Sequence, residues 1–253
     1  MGKWKKWLSA GLYTAMLGTA IIAGPTADVS ANAGNKPYNI ENVSPDAHLA
    51  DSSSKTSSKA WHKIDGVCYN GSGKKVEGAI TRGMDVSEWQ GKINWKEAKK
   101  DLDFAFVRIS YGTRHLDDYY DYNMTEAEAA DVPVGTYVYS LAKTNKEALA
   151  EAQLAIRQMQ GHKVSYPVAF DLEDEATLGT LTRKEISQIA LTFCDEIRKA
   201  GYTPILYMNL NWYNNFVDWN VLEGSGLDVW IASYGDTILA PSASKYKYTI
   251  WQC

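Results

Sequence analysis

Seven short apolar runs alternate with helical patterns along most of this chain, and this alternation limits its fold more than any other feature. The runs are Arg82–Ser87, Phe104–Ser110, Val134–Ser140, Tyr166–Glu173, Thr203–Asn209, Asp228–Tyr234 and Tyr248–Gln252. They are nearly continuous in apolar residues, as strands are when both faces of a parallel sheet are covered. Helices are predicted at Trp95–Leu102, Asn123–Asp131, Asn145–Met159 and Thr182–Ala200. The pattern predicts an α/β domain with a parallel sheet.

Up to seven strands with fewer helices favour a closed but irregular barrel, similar to a TIM barrel. A doubly wound open sheet is the alternative, but the glycine-rich fingerprint of dinucleotide-binding sheets is absent. The length of 253 residues suits one large domain, and a hydrophobic fraction of 45% can supply its core. The net charge of −4 gives no support to nucleic-acid binding.

The N-terminal residues 1–33 have the pattern of an export signal. A basic start, MGKWKKW, precedes the apolar stretch LSAGLYTAMLGTAIIAG, and Ala31-Asn32-Ala33 is a small-residue cleavage site. We therefore expect cleavage after Ala33 and a secreted protein, extracellular or associated with the cell wall. An uncleaved membrane anchor is the alternative, because the apolar stretch is just long enough to span a bilayer.

The remaining chain divides into three parts. Residues 34–60 are polar and Ser-rich, which predicts a flexible linker. Residues 61–80 contain Asn70-Gly71 between apolar stretches, which predicts a hairpin-like extension, and residues 81–253 form the barrel domain. Cys68 and Cys253 flank this domain and could pair after export, whereas Cys194 lies on the apolar stripe of a helix and should be buried.

Polar residues stand at the ends of three predicted strands. Asp85 ends one strand, Asp171 and Glu173 end another, and Asn209 ends a third. In a parallel α/β barrel, the carboxyl ends of the strands meet at one face, where active sites lie. Side chains two residues apart on a strand share a side, so Asp171 and Glu173 should face one cleft while Leu172 faces the helices.

Such a cluster of carboxyl groups can supply a proton donor. Like charges in a partly dry site raise one another's pKa, so one carboxyl keeps its proton at neutral pH while its partners are ionised. Glycosidic bond cleavage needs this combination. Glu173 has the longer side chain and is the predicted general acid, with Asp171 and Asp85 stabilising positive charge.

Other acidic residues are assigned ordinary roles. Asp174 and Glu175 are expected to be solvated, and the acidic patch Asp117–Tyr122 is expected to be a polar loop. A calcium-binding loop starting at Asp171 fails, because Ala176 and Thr182 replace its required glycine and glutamate. No metal or cofactor is predicted, and the G-x-S-x-G motif of serine hydrolases is absent.

The segment RGMDVSEWQGKINW resembles the opening strand of the glycoside hydrolase family 25 muramidases. The segments FAFVRISYG, PVGTYVYSLA, YPVAFDLED, AGYTPILYMNLNWY, DVWIASYG and YTIWQ resemble the later blocks of that family in the same order. The resemblance extends from Arg82 to Gln252 and therefore covers nearly the whole predicted barrel.

The resemblance implies hydrolysis of the β-1,4 bond between N-acetylmuramic acid and N-acetylglucosamine in the glycan strands of peptidoglycan. It implies Glu173 as acid/base with Asp85 and Asp171 in support. We expect no cofactor, and we expect the chain to be a monomer. It also implies a set of substrate-binding residues: Tyr111, Tyr139, Tyr207, Asn209, Trp230 and Gln252.

In one respect the sequence departs from the family pattern. The family continues beyond the W-Q block to a further aspartate, whereas this sequence ends at Cys253, so a site without its fourth acid would be weakened. A non-catalytic wall-binding barrel is one alternative. A chitinase-like glycosidase is another, but aligning its acidic series on Glu173 places Tyr166 and Ala169 at the first two acidic positions.

Overall fold

The computed structural model describes residues 13–18 (by backbone alone), 62–70, 73–233, 241–242 and 245–253. The strands in chain order are β1 (Tyr13–Gly18), β2 (His62–Ile64), β3 (Val67–Tyr69), β4 (Ala79–Val86), β5 (Phe104–Tyr111), β6 (His115–Leu116), β7 (Val134–Tyr139), β8 (Val164–Asp171), β9 (Pro204–Asn209), β10 (Asp228–Ala232) and β11 (Ile250–Gln252). The helices are α1 (Trp95–Ala98), α2 (Tyr120–Ala129), α3 (Asn145–Gln158), α4 (Arg183–Lys199), α5 (Leu210–Asn215) and α6 (Trp219–Leu222). The predicted linker and cleavage site lie outside the described residues.

Parallel strands close into a ring. Strand β4 pairs with β5, and the ring continues through β7, β8, β9, β10 and β11 to β1, which pairs again with β4. Strand β6 is a short antiparallel addition to β5 at the side of this ring. All seven predicted strands are present, and the predicted α/β fold with a TIM-like barrel is confirmed.

Two layers of apolar side chains fill the fold. The outer layer lies between strands and helices and includes the buried face of α4, which begins with a capping box formed by Thr182 and Glu185. The inner layer lies inside the ring and contains Phe104, Phe106, Tyr137, Tyr166, Ala169, Ile205, Tyr207, Trp230, Ala232 and Ile250. The large aromatic side chains of this layer leave no space for a side chain at some positions of the neighbouring strands. A methyl group on Gly83 would lie 2.3 Å from the Phe104 ring.

Strand β1 occupies the position between β11 and β4. Thr14 lies opposite Ile250 on one side and Thr81 on the other, so this short strand covers two sheet edges. These residues also belong to the predicted export signal. Cleavage after Ala33 would remove the strand, so an exported chain would have to leave both edges open or cover them with another segment.

Deleting residues 1–33 should therefore destabilise the barrel. Because the deletion leaves unpaired backbone groups along β4 and β11, we expect the midpoint of thermal unfolding to fall by about 5 °C or more. A chain that lacks only residues 1–11 keeps β1 and serves as the control. Equal midpoints for the two chains would show that β1 contributes nothing to the barrel.

A two-stranded hairpin precedes the barrel. Strands β2 and β3 pair antiparallel, and the turn lies at Asp65-Gly66, both with positive φ (50° and 81°), rather than at the predicted Asn70-Gly71. Asn70 is instead buried, and its side chain accepts a hydrogen bond from the Lys74 N–H at 2.9 Å. The Lys63–Asp103 salt bridge of 2.6 Å ties the hairpin to the residue just before β5.

All three cysteines are free in the structure, so the pairing of Cys68 with Cys253 is not formed. Cys194 is fully buried on α4, as predicted. Among the described residues, no helix combines the length and apolar character needed to cross a membrane.

Candidate active site

The predicted carboxyl groups meet at one end of the barrel. Asp85 lies near the end of β4 and Asp171 ends β8, while Asn209 and Gln252 end β9 and β11. In the sheet register, Asp171 lies opposite Tyr207 of β9. The closed parallel ring therefore brings polar side chains from distant parts of the sequence to one mouth.

Asp171 and Glu173 face this mouth together. Leu172 between them is fully buried in the outer apolar layer, which confirms that it points toward the helices. The Asp171 Oδ1 atom accepts a hydrogen bond of 3.3 Å from the Glu173 N–H. This contact fixes the backbone of Glu173 beside the Asp171 carboxyl group.

A chain of hydrogen bonds joins Asp85 to Glu173 across the ring. Gln252 donates from Nε2 to Asp85 Oδ2 at 2.8 Å, and its Oε1 accepts from the Tyr207 hydroxyl at 2.6 Å. Tyr207 is in turn hydrogen-bonded to the Glu173 carboxyl group. The Tyr207 hydroxyl therefore lies between the side-chain oxygen of Gln252 and the carboxyl group of Glu173.

Burial raises the pKa of all three carboxyl groups. It raises the pKa of Asp85 to about 6, although a hydrogen bond from Gln252 acts in the opposite direction. It raises the pKa of Glu173 to about 7, against hydrogen bonds from Asn209 and Tyr207. Burial, followed by the charge of Glu173, also raises the pKa of Asp171 well above its usual value.

The geometry favours Glu173 as the group that holds a proton near neutral pH. Its Oε1 is buried and has no hydrogen-bond partner among the described atoms, which is costly for a charged carboxylate. Asp171, by contrast, accepts a hydrogen bond from the Glu173 N–H. That bond and the positive charge of Arg108 both act against the rise in the pKa of Asp171 and so favour its ionised form. The site can therefore present a neutral acid next to an ionised carboxylate.

A buried arginine supplies the positive charge of the site. Arg108 on β5 has only 7% of its side chain exposed and forms ion pairs with Glu88 at 2.7 Å and Asp117 at 2.9 Å. Glu88 also contacts His115 at 2.7 Å. Asp117, which the sequence placed in a polar loop, is buried in this cluster instead. A charged residue within the apolar run FAFVRIS was the signal that could have identified Arg108.

The predicted substrate-binding residues occupy three kinds of position. Tyr111, Tyr139 and Asn209 are partly exposed around the mouth. Tyr207 and Gln252 are each only 6% exposed and contact the carboxyl groups, as described above. Trp230 is 2% exposed inside the barrel, where its ring packs against Phe106.

Asp174 was expected to be solvated, and that expectation was wrong. The residue is buried, because Tyr111, Tyr139 and Thr177 enclose its carboxyl group. A threonine three residues after an aspartate is the sequence signal of such a turn, since the aspartate accepts a hydrogen bond from the backbone N–H of the threonine.

Comparison with known proteins agrees with this architecture. The family model described as "Glycosyl hydrolases family 25" matches residues 84–253. Lysozyme M1 of Streptomyces globisporus is 25% identical over 181 residues, which cover 68% of this chain and 60% of that protein. The chain thus spans only about 60% of the length of this curated relative.

Solved structures show the same fold. A family 25 glycosyl hydrolase from Bacillus anthracis aligns with a TM-score of 0.58 and 21% identity, covering 76% of this chain and 81% of that one. The modular autolysin LytC of Streptococcus pneumoniae, solved with a synthetic peptidoglycan ligand, aligns with a TM-score of 0.60 and 22% identity, covering 74% and 46%. Since the family model extends over most of the sequence and includes all three carboxyl groups at the barrel mouth, this chain belongs to glycosyl hydrolase family 25.

Proposed function

We propose that this chain hydrolyses the β-1,4 bond between N-acetylmuramic acid and N-acetylglucosamine in peptidoglycan, with Glu173 as general acid/base and Asp171 and Asp85 in support. One observation carries the proposal: at the barrel mouth, Glu173 has a pKa raised to about 7 beside two other carboxyl groups. Family membership supports the reaction class. The lysozyme name of one relative and the peptidoglycan ligand of LytC support the substrate.

The residues suggest a division of labour. Glu173 gives its proton to the glycosidic oxygen as the bond to the anomeric carbon breaks, and the leaving sugar departs as an alcohol. Positive charge develops on the remaining sugar or on its participating N-acetyl group, where ionised Asp171 and Asp85 stabilise it. Glu173, now a carboxylate, accepts a proton from the water that completes hydrolysis.

Digestion of purified cell walls tests the proposal. We expect turbidity to fall and the new reducing ends to be N-acetylmuramic acid, because that sugar contributes the anomeric carbon of the cleaved bond. Chitin serves as the comparison substrate and should yield few new ends. New N-acetylglucosamine ends, or equal cleavage of chitin, would instead indicate a different glycosidase. Wall binding without new ends would indicate a non-catalytic barrel.

The rate should have a bell-shaped dependence on pH. Asp85 must be ionised, so kcat/KM should rise as pH increases through about 6, and Glu173 must be protonated, so the rate should fall as pH increases through about 7. Initial rates on soluble glycan fragments would give both limbs. Because Gln252 lowers the pKa of Asp85, Gln252→Leu should move the acidic limb to higher pH. A flat profile between about pH 5 and about pH 8 would contradict both assignments.

Export with cleavage after Ala33 is also proposed, on the sequence pattern of residues 1–33. N-terminal sequencing of the protein recovered outside the producing cells should give Gly34 as the first residue. Recovery of the chain with residues 1–33 intact would contradict cleavage.

A further inference from the structure

Asp174 connects the segment that follows Glu173 to two aromatic side chains, and its two carboxyl oxygens are used separately. Oδ1 accepts hydrogen bonds from the Thr177 N–H at 2.8 Å and the Thr177 hydroxyl at 2.6 Å. Oδ2 accepts from the hydroxyl groups of Tyr111 at 3.4 Å and Tyr139 at 3.3 Å. The carboxyl group is only slightly exposed, so these partners account for most of its surroundings.

Tyr111 and Tyr139 form a stacked pair. They end the neighbouring strands β5 and β7 and lie opposite each other in the sheet register. Their ring centroids are 4.8 Å apart with an interplanar angle of 17°, and both residues are partly exposed. Tyr139 also lies close to Asp171 and Glu173. Burial raises the pKa of the Tyr139 hydroxyl, and the charges of Asp171, Asp174 and Glu173 raise it further. The pair therefore lies beside the carboxyl groups of the site.

We propose that Asp174 is a positioning residue that holds the stacked rings of Tyr111 and Tyr139 in place beside Glu173, so that an outer face of the pair forms a wall of the cleft against which a sugar ring of the glycan strand stacks. This inference rests on the proposed function for the identity of the ligand. Sugars present flat C–H faces to aromatic rings, and a ring that is already fixed loses less side-chain freedom when the ligand binds. A shared acceptor for both hydroxyl groups fixes both rings at once.

The simpler alternative is that Asp174 only stabilises the turn after β8. Its contacts allow the two roles to be separated, because the turn depends on Oδ1 and the tyrosines depend on Oδ2. Asp174→Asn keeps an oxygen for Thr177 but replaces the acceptor of the two tyrosine hydroxyls with an NH₂ group. Thr177→Val removes a hydroxyl hydrogen bond from the turn and leaves both tyrosine contacts in place.

The test measures binding separately from turnover. In a Glu173→Gln background, the affinity for a soluble peptidoglycan tetrasaccharide would be measured by calorimetry. We expect Asp174→Asn to raise Kd about fivefold to tenfold, and the double variant Tyr111→Phe/Tyr139→Phe to raise it by a similar factor. Because both changes break the same contacts, combining them should add little further loss. Thr177→Val should leave Kd within about twofold.

Two results would overturn the inference. One is an unchanged Kd for Asp174→Asn, and the other is losses that multiply when the aspartate and tyrosine changes are combined, since independent effects exclude a shared contact. Thermal unfolding of each variant identifies any loss that is due to misfolding. If Asp174→Asn sharply lowers the midpoint of thermal unfolding, the Kd of that variant is set aside. The effect of Tyr111→Phe/Tyr139→Phe on Kd then decides whether the inference holds.

Turnover distinguishes this inference from the proposed function. With Glu173 present, Asp174→Asn should raise KM for the tetrasaccharide about fivefold while kcat changes by less than about twofold. A wild-type chain that binds the fragment but releases no reducing ends would contradict the proposed reaction and leave the binding test of Asp174 intact. A fully active Asp174→Asn variant with unchanged KM would contradict only the positioning role.

Discussion

Replacing Glu173 with glutamine is expected to reduce the rate of glycan cleavage by about 10²–10⁴-fold, the largest effect on activity of any single change in this site. Glutamine fills nearly the same volume and can keep the contacts with Asn209 and Tyr207, but it carries no acidic proton. The glycosidic oxygen would then have to leave without protonation. Release of muramic-acid reducing ends from purified walls measures the loss.

Glu175→Gln is the matched control for this change. Glu175 lies two residues further along, outside the hydrogen-bonded chain from Asp85 to Glu173, so the control should keep the wild-type rate. The pH profile adds a second criterion, since the residual activity of Glu173→Gln should lack the limb near pH 7 that is assigned to Glu173. A Glu173→Gln chain that cleaves walls at the wild-type rate would remove the acid/base assignment.

Replacing Gly135 with alanine is expected to lower the free energy of unfolding by about 3 kcal/mol or more. A methyl group on Gly135 of β7 would lie 2.5 Å from the carbonyl oxygen of Pro167 and 2.7 Å from the Phe106 ring. The first of these atoms belongs to the backbone of the neighbouring strand β8. Relief of the contact would therefore require two paired strands to separate.

Gly179→Ala is the control for this prediction, because its methyl group would find only ordinary contacts, the nearest 3.5 Å from the Glu175 side chain. Denaturant unfolding of both variants, followed by tryptophan fluorescence, gives the two free energies. The control should remain within about 0.5 kcal/mol of the wild type. A Gly135→Ala chain as stable as the control would mean that β7 and β8 can move apart at little cost.

Local patterns were sufficient to predict seven of the barrel strands and to place the three carboxyl groups at one mouth of the barrel. Each strand runs through the interior of the fold, so its apolar run is visible in the sequence. Asp171 and Glu173 could be assigned to one side because side chains alternate along a strand, and Asp85 could join them because parallel strands end at one face. These inferences depend on periodicity and direction alone.

Contacts between distant segments were not predictable in the same way. Strand β1 lies between β4 and β11 because the edges of these two strands are left unpaired by the rest of the sheet. No local pattern in residues 13–18 indicates which strands they will pair with. Asp174 was mistaken for a solvated residue because its burial comes from Tyr111 and Tyr139, whose strands precede it by many residues. Asp117 was misjudged because its partner Arg108, which is nine positions earlier in the chain, lies within the apolar run of a strand.

The hydrogen bond between Gln252 and Asp85 joins residues that are 167 positions apart in the chain. Loop-closure entropy makes such contacts slow to form, so folding should be limited by the docking of the last strand against the first ones. The hydrogen-bonded link between Asp85 and Glu173 exists only after this step. A chain that is still being synthesised would thus hold Asp85 apart from Glu173, and any cleaving activity would begin only when the fold is complete.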